Sequence, residues 1–264
     1  MDRKIALVTG ATSGIGAAFA RHYAAQGYDL IITGRREQRI NLFAEELMSK
    51  HAIDVRVIIA ELSDKRDTDM LLEQIKGKDI EVLVNNAGFG YNTLFQNGSM
   101  DVARSMVEVH VITALSLIQE VLPDMIKKAR GTIINVSSES AFLLIPGNAV
   151  YTGTKTFLKS FTEALHLDLM GTGVKVQALC PSFTLSDFHE KMGMDRSRQV
   201  NRGIIRWMTP DEVVGVSIKS LDKGKVVCIP GAHSRLLIKI LSLMPRNSYY
   251  GFAYNFSKKN FAEK

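Results

Sequence analysis

The sequence predicts an α/β fold: a single doubly wound, mainly seven-stranded parallel sheet with helices on both faces. Two observations lead to this prediction. Short β-rich runs alternate with longer runs of helical periodicity, and the β-rich runs are almost continuously apolar. A sheet covered on both faces needs such strands, and repeated strand–helix–strand units join parallel strands. Because no Pro/Gly-rich linker or internal repeat interrupts the pattern, we expect one domain, with residues 1–231 as its body and residues 232–264 as a basic, aromatic C-terminal extension.

The individual elements follow from local periodicity and boundary signals. Strands are predicted at residues 5–8, 30–33, 55–59, 82–84, 132–136, 174–179 and 226–229. Helices are predicted at residues 17–26, 37–50, 65–76, 100–128, 150–170 and 236–244, from apolar residues recurring every three or four positions. Gly27 suits the position that follows a helix C-terminus. Thr209-Pro210-Asp211-Glu212 combines an N-cap, a first-turn proline and a capping box, so a further helix should begin there.

The composition is that of an ordinary globular protein, with 46% hydrophobic and 23% charged residues among 264. Most of the formal net charge of +6 lies in the extension, and no nucleic-acid recognition motif accompanies it, so we expect no nucleic-acid partner. Cys180 and Cys228 lie in apolar runs without a CxxC motif or Cys/His cluster, which favours buried thiols in a reducing compartment and no metal site. The N-terminal apolar run is too short for a signal peptide, and no stretch of about twenty uncharged apolar residues occurs. A cytoplasmic protein is therefore expected.

A glycine-rich turn follows the first predicted strand and opens the first helix. Its expected cofactor contacts are Gly10, Thr12, Ser13, Gly14, Ile15 and Gly16. A helix N-terminus presents free N–H groups and the positive end of the helix dipole, and glycines let a phosphate approach the backbone closely. We interpret the turn as a dinucleotide pyrophosphate site, although three glycines are also compatible with a plain strand-to-helix turn.

The end of the second strand indicates which dinucleotide binds. Sites that prefer NAD usually place a carboxylate there to accept from the ribose 2′-hydroxyl, whereas this chain reads Thr33-Gly34-Arg35-Arg36. An arginine can bind a 2′-phosphate through two parallel hydrogen bonds. The sequence therefore favours NADP(H) over NAD(H), with Arg35 and Arg36 as phosphate ligands. The alternative is that both arginines simply begin a solvated helix.

Four motifs in order carry a family resemblance. They are the T-G-x-x-x-G-x-G turn, Asn85-Asn86-Ala87-Gly88 after the fourth strand, Ser138 after the fifth, and Tyr151-x-x-x-Lys155. With these motifs the chain resembles the classical short-chain dehydrogenase/reductase family from about residue 4 to about residue 231. The resemblance implies a Rossmann fold, an oxidoreductase acting on a small-molecule carbonyl or secondary alcohol, and association into a homodimer or homotetramer through the helices at 100–128 and 150–170.

The spacing of Tyr151 and Lys155 places both side chains on one face of a helix. A free tyrosine has a pKa of about 10, so we expect the neighbouring ammonium to lower that pKa and make the phenol a usable acid/base. By the resemblance, Tyr151 exchanges a proton with the substrate oxygen, Ser138 hydrogen-bonds that oxygen, and Lys155 also holds the nicotinamide ribose. Ser137 is the neighbouring candidate for the serine role, but the family pattern points to Ser138.

Further cofactor contacts are implied by the resemblance alone. They are Asn86, Ala87 and Gly88 on the adenosine-ribose side, Glu61 and Leu62 near the adenine, and Pro181, Thr184 and Ser186 near the nicotinamide. Glu61 stands where the family commonly has Asp, and Ser182 follows Pro181 where the family has Gly.

His110 is a departure from the family pattern, which usually has Asn in the middle of this helix to fix a water that relays protons to the lysine. One hypothesis is that His110 takes over this relay and titrates in the working pH range, which would make it a fourth catalytic residue. The alternative is a hydrogen-bonded core histidine on an apolar helix.

Residues 183–208, named here the lid segment, lie where the resembled family folds over its substrate. The segment carries apolar side chains at Phe183, Phe188, Met192, Met194, Trp207 and Met208, and cations at Lys191, Arg196, Arg198, Arg202 and Arg206. The apolar set suits a ketone, ketosteroid-like or 3-ketoacyl substrate. The cations favour either a solvated helix face or a phosphate-bearing carrier such as coenzyme A or acyl carrier protein.

The C-terminal extension and the class of function each leave alternatives open. An apolar-faced helix broken near Pro245 and followed by aromatics and cations could pack within the subunit or on a partner subunit, cap the substrate pocket, or contact an anionic membrane surface. The same fold could also serve a non-catalytic NADP(H)-binding sensor. The presence of Ser138, Tyr151 and Lys155 together favours catalysis.

Overall fold

The computed structural model describes residues 4–192, 195, 197, 199–201 and 206–261. Within them, seven strands pair in parallel into one sheet in the order β3-β2-β1-β4-β5-β6-β7. The strands are β1 Ile5–Thr9, β2 Asp29–Gly34, β3 Val55–Ile59, β4 Ile80–Asn85, β5 Gly131–Val136, β6 Val174–Leu179 and β7 Val227–Cys228. The predicted seven-stranded parallel sheet is confirmed, although β7 is shorter than the sequence indicated.

Ten α-helices belong to the part of the chain that the structure describes. They are α1 Gly14–Ala25, α2 Glu37–His51, α3 Lys65–Ile75, α4 Met100–Val107, α5 Thr113–Lys127, α6 Ala149–Asp168, α7 Asp187–Lys191, α8 Pro210–Asp222, α9 Ala232–Ser242 and α10 Arg246–Phe261. The capping box at the start of α8 is confirmed, because the Thr209 hydroxyl accepts from the Glu212 amide at 3.2 Å and the Glu212 carboxylate accepts from the Thr209 amide at 2.7 Å. Gly27 follows α1 with a φ of +76°, a conformation that favours glycine.

The core lies in two layers, one on each face of the sheet. One layer joins α1, α2 and α8 to the sheet, and the other joins α3, α5 and α6 to it. The strands explain the division, because Leu7 packs into the second layer while its neighbours Ala6 and Val8 pack into the first. Alternate side chains point to opposite faces of a strand, so burial of both faces requires the continuous apolar runs seen in the sequence.

The helix expected over residues 100–128 is interrupted. A π-helical turn, Glu108–Ile112, separates α4 from α5, and it contains three consecutive buried residues, Val109, His110 and Val111. Single π turns inside helices are frequent at functional sites. Hydrophobic periodicity did not indicate this turn, because one inserted residue hardly changes the apolar pattern.

The combined helical run Met100–Lys127 is long and apolar enough to cross a membrane by length and composition, with a mean hydropathy of 1.4 in its most apolar window. Half of that window is buried inside the protein. Leu117, Ile118 and Val121 of α5 pack into the second core layer. The packing of this run is therefore that of a core helix.

A crevice forms where the strand order reverses. β1 lies between β2 and β4, so the connections that leave β1 and β4 run to opposite sides. In open parallel sheets, ligands bind at such a switch point, outside the carboxyl ends of the strands. The glycine turn follows β1 at this edge and the Asn86-Ala87-Gly88 segment follows β4.

Candidate active site

The structure brings Ser138, Tyr151 and Lys155 together at the carboxyl end of β5. Ser138 begins a short 3₁₀ turn directly after β5, whereas Tyr151 and Lys155 lie one turn apart near the start of α6. The Lys155 ammonium donates to the Val136 carbonyl at 2.8 Å and lies 5.8 Å from the centre of the Tyr151 ring. All three side chains are buried.

The two adjacent serines have different surroundings. The Ser137 hydroxyl donates to the backbone carbonyl of Lys155 at 2.7 Å and so ties β5 to α6. The Ser138 hydroxyl accepts from the Ser140 amide at 3.1 Å and interacts with the Tyr151 phenol. Ser138 is therefore the serine that faces the Tyr151 phenol, and Ser137 makes a structural contact.

The expected lowering of the phenol's pKa is not found. Burial raises the pKa of Tyr151 to about 12, and interaction with the Ser138 hydroxyl offsets only part of this effect. Burial also lowers the pKa of Lys155 to about 8. The prediction from the sequence was wrong in direction because helical spacing shows that a cation is near but does not show how strongly both groups are desolvated.

His110 is a buried, hydrogen-bonded histidine. Its Nε2 accepts from the Phe89 amide at 3.1 Å, which places the ring proton on Nδ1, 2.9 Å from the Thr154 hydroxyl. That hydroxyl in turn donates to the Tyr151 carbonyl at 2.8 Å. Burial, aided by the charge of Lys155, holds the pKa of His110 well below its usual value. The expectation that His110 titrates in the working pH range is therefore wrong, because its protonation would place a charge in a desolvated site beside a cation.

The glycine turn is held closely against the segment after β4. The Asn86 side-chain amide donates to the carbonyls of Thr9 and Gly10 at 2.9 and 3.2 Å, and a Cβ added to Gly16 would clash with both that amide and the Gly10 carbonyl. Gly10 and Gly14 have positive φ values of 65° and 58°. The turn therefore needs these glycines, and Asn86 clamps it. Ala87, which follows Asn86, packs against the second core layer.

The two arginines after β2 have different partners. Arg35 forms an ion pair with Glu61 at 2.7 Å, and the adenine contact expected of Glu61 stays a prediction. Arg36 extends over the glycine turn and donates to the hydroxyls of Thr12 and Ser13 at 2.7 and 2.8 Å. Arg36 is therefore the better placed of the two for a phosphate near the turn.

The remaining predicted contacts lie around the same crevice. Ile15 packs against the first core layer, and Leu62 is buried with its carbonyl accepting from Thr113 at 3.0 Å. The Pro181 carbonyl accepts from the Glu139 amide at 2.9 Å, so β5 and β6 stay joined beyond the sheet. The Gly88 backbone lies against His110 and Lys155, since a Cβ there would be 2.9 Å from the imidazole and 3.5 Å from the ammonium.

The described part of the lid segment places aromatic side chains beside the crevice. The Phe188 ring lies 5.9 Å from the Tyr151 ring, and Trp207 lies 5.2 Å from Phe183 and 4.9 Å from His189. Thr184 is buried and pairs with Met208, and the Ser186 hydroxyl donates to the Thr184 carbonyl at 3.3 Å. The predicted lid residues Met194, Arg196, Arg198 and Arg202 lie outside the described residues, as does the side chain of Lys191.

Several residues of the site have no counterpart among the sequence predictions. They are Arg39, Glu139, Thr154, Asp187 and Tyr249. Arg39, three positions after Arg36 on α2, could have been found from helical spacing. Asp187 accepts from Arg36 and from Arg39 at 2.9 Å each. It is too distant from them in the sequence for any local pattern to predict the contact. Burial raises the pKa of Glu139, next to Ser138, to about 7.

The C-terminal extension packs against the loop that follows Ser138. Tyr249 of α10 is 3% exposed, and its hydroxyl accepts from the Leu144 amide at 2.6 Å. Ser234 of α9 hydrogen-bonds Glu139. Among the alternatives for the extension, these contacts show intramolecular packing beside the site. Apolar side chains of α9 at Leu236, Ile240 and Leu243 are exposed.

Neither thiol has a metal-like environment. Cys180 and Cys228 are both free and buried, as the sequence predicted, and burial raises the pKa of Cys180 to about 12. Among the described residues, no group of three or more His, Cys, Asp or Glu side chains could hold a metal ion.

Comparisons with known proteins agree with this geometry. The profile of a family described as short chain dehydrogenase matches residues 4–197. The chain is 34% identical over 183 residues to an uncharacterized oxidoreductase of Staphylococcus saprophyticus, covering 69% of this chain and 78% of the relative. It is 26% identical over 259 residues to the human very-long-chain 3-oxoacyl-CoA reductase, and the match covers 96% of this chain and 79% of that relative. A short-chain dehydrogenase from Sphingobium yanoikuyae, solved in complex with NADPH, superposes with a TM-score of 0.82 at 25% identity over 99% of this chain and 98% of that one.

Proposed function

Because the chain belongs to the short-chain dehydrogenase/reductase family, we propose that it is an NADP(H)-dependent oxidoreductase that moves hydride between the nicotinamide and a carbonyl or secondary alcohol. The observation that carries the proposal is the convergence of Ser138, Tyr151 and Lys155 beside the crevice at the strand-order reversal. A protein that only binds a dinucleotide has no need of these three groups in contact.

The residues around the crevice fit such a cofactor. The glycine turn offers a backbone surface that a single Cβ at Gly16 would obstruct, and it opens the 12-residue helix α1, whose N-terminus favours an anion. Arg36, Thr12 and Ser13 form a cluster of hydrogen-bonding groups beside it. We assign the pyrophosphate to the turn and the 2′-phosphate to Arg36. The NADPH-bound relative supports this preference.

The nicotinamide end is assigned through the family resemblance. Lys155 would hold the nicotinamide ribose, and Thr184 and Ser186 would hold the carboxamide. Asn86, besides clamping the turn, would border the adenosine ribose. The bound cofactor supplies the hydride or accepts it, and the groups of this chain orient the substrate and move the proton.

Tyr151 is suited to the acid role. A phenol with a pKa of about 12 stays protonated at neutral pH, so in carbonyl reduction it can donate its proton to the substrate oxygen. The Ser138 hydroxyl can donate a hydrogen bond to the same oxygen as negative charge develops there. Because the pKa of Lys155 is about 8, its ammonium gives up a proton more readily than Tyr151. This order of pKa values supports the transfer of a proton from Lys155 back to Tyr151 after Tyr151 has donated its own proton.

The substrate side of the site is apolar. Phe188 lies against Tyr151, and Phe183, His189 and Trp207 pack around one another next to it. Burial lowers the pKa of His189 to about 4, so this ring is neutral at physiological pH. Such surroundings favour a substrate with a large apolar body. The 3-oxoacyl-CoA reductase among the relatives supports including acyl thioesters among the candidates.

NADPH oxidation across a panel of simple ketones, diketones, ketosteroids and 3-ketoacyl thioesters tests the proposal, with NADH in parallel. We expect turnover of at least one bulky apolar ketone with NADPH, and slower turnover with NADH. Tyr250→Phe is the matched control for the Tyr151→Phe variant, because Tyr250 is half-exposed on α10. Absence of turnover with every carbonyl and both nucleotides, in a protein that binds NADPH, would favour the sensor function instead.

A further inference from the structure

Asp187 pairs with Arg36, the residue that the proposed function assigns to the 2′-phosphate, and with Arg39 beside it. Its Oδ2 accepts from Arg36 at 2.9 Å and from Arg39 at 2.9 Å, while Arg36 also holds the hydroxyls of Thr12 and Ser13. A carboxylate thus bridges two guanidinium groups, one of which also contacts two hydroxyls. That set of donors is suited to a phosphate, which is larger and more highly charged.

Asp187 is the first residue of α7, the part of the lid segment that lies across the crevice. On one side of Asp187, Ser186 touches the glycine turn, since a Cβ on Gly14 would lie 3.1 Å from the Ser186 Cβ. On the other side, Met192 packs on Gly90, where an added Cβ would clash with its sulfur, and Phe188 packs on Tyr151. The ion pairs of Asp187 therefore anchor a segment that extends from the phosphate end of the crevice to the catalytic phenol.

We propose that Asp187 is an internal substitute for the 2′-phosphate, which anchors α7 over the crevice and is displaced from Arg36 and Arg39 when a ligand carrying a 2′-phosphate binds. The inference rests on the proposed NADP(H) function. It adds a residue that sets the strength of 2′-phosphate recognition and links that recognition to the position of α7.

The strengths of the competing contacts make the exchange feasible. The Asp187 side chain is 30% exposed and those of Arg36 and Arg39 are 34% and 50% exposed, so water screens their ion pairs and a stronger anion can replace the carboxylate. The Arg36 guanidinium, with Arg39 beside it, keeps the pKa of Asp187 below its usual value, so the group is a carboxylate at neutral pH. A phosphomonoester carries about −1.5 to −2 charges and three acceptor oxygens, and it can outcompete one carboxylate for the same two arginines.

Two adenosine fragments isolate the 2′-phosphate. Binding of 2′,5′-ADP and of 5′-AMP is measured by calorimetry for the parent chain, for Asp187→Asn and for Asp69→Asn. The last variant removes the same charge from an exposed ion pair with Lys65 on α3. Without the competing carboxylate, we expect Asp187→Asn to bind 2′,5′-ADP about five- to tenfold more tightly, the scale of one or two exposed ion pairs. Its affinity for 5′-AMP should be unchanged, and Asp69→Asn should match the parent with both fragments.

The single tryptophan reports on the lid segment. Trp207 lies 4.9 Å from His189 of α7, so release of α7 should change its emission. In the parent chain 2′,5′-ADP should change the Trp207 spectrum and 5′-AMP should not. Asp187→Asn without any ligand should already resemble the parent chain with 2′,5′-ADP.

The outcomes separate this inference from the proposed function. If Asp187→Asn binds both fragments as the parent does, or gains the same factor for both, the substitute role is refuted while NADP(H) binding stands. An emission change equal for 2′,5′-ADP and 5′-AMP would also overturn the link to the lid segment. If the parent chain binds neither fragment, the proposed cofactor and the inference both fail.

Discussion

Replacing His110 with Asn should change how stability depends on pH. In the folded protein His110 is buried with both ring nitrogens hydrogen-bonded, and its pKa is held well below 6.5. In the unfolded chain the imidazole titrates near 6.5. Below that value the unfolded state binds a proton that the folded state does not, so the free energy of unfolding falls as pH falls. The stability that neutral His110 contributes is therefore present well above pH 6.5, and it is lost progressively as pH falls from there toward the folded-state pKa.

The size of this change in unfolding free energy depends only on the titration of His110 in the unfolded chain, as long as His110 stays neutral in the folded protein. Between pH 7.0 and pH 5.5 the free energy of unfolding of the parent chain should fall by about 1.3 kcal/mol through His110, because the limiting slope is about 1.4 kcal/mol per pH unit. Asparagine cannot titrate, so His110→Asn should lack this part of the slope. His22 and His189 also have lowered pKa values, but they are present in both proteins and cancel in the difference.

Urea denaturation of both proteins at pH 7.0, 6.0 and 5.5 measures the effect. We expect His110→Asn to be less stable at pH 7.0, by roughly 1–3 kcal/mol for the disturbed hydrogen bonds, with the gap narrowing by about 1.3 kcal/mol at pH 5.5. A constant gap across these pH values would refute the neutral, desolvated state of His110. A neutral His110 also implies that the pH–rate profile keeps its shape in the variant.

The other predictions concern the lysine, the glycine turn and the extension. Because the pKa of Lys155 is about 8, its ammonium is lost as pH rises through that value. The rate of carbonyl reduction should therefore decline above pH 8. A rate that does not change up to pH 10 would contradict a role for the Lys155 charge. Gly16→Ala should abolish tight NADPH binding, since its Cβ would clash with the backbone of the turn, whereas Gly215→Ala on α8, with open space around the Cβ, should gain about 0.5–1 kcal/mol in thermal or urea unfolding. Tyr249→Phe removes the acceptor of the Leu144 amide and should raise KM for a bulky substrate with little change in kcat. An unaltered KM would show that this contact of the extension does not affect substrate binding.

The sheet could be predicted from the sequence because its physical cause is local. Strands such as β1 and β4 must be apolar on both faces, and a single chain segment shows that property. The pairing of Tyr151 with Lys155 could be predicted for the same reason, since their relative positions depend on one helical turn.

The rest of the site depends on packing between distant segments. The π turn around His110 leaves the hydrophobic pattern almost unchanged, so the sequence suggested one continuous helix. The direction of the Tyr151 pKa depends on burial by several elements, which spacing on α6 does not reveal. Asp187 and Arg36 are 151 positions apart, and nothing in either local sequence links them.

The acid/base role of Tyr151 is tested most directly by Tyr151→Phe. The variant keeps the ring against His110 and Phe188 and removes only the hydroxyl. With NADPH and an accepted ketone, we expect kcat to fall by about 10²–10⁴-fold, the usual contribution of a positioned acid, while the Kd for NADPH stays within about twofold of the parent. A variant that reduces the ketone at the parental rate would contradict the proposed mechanism.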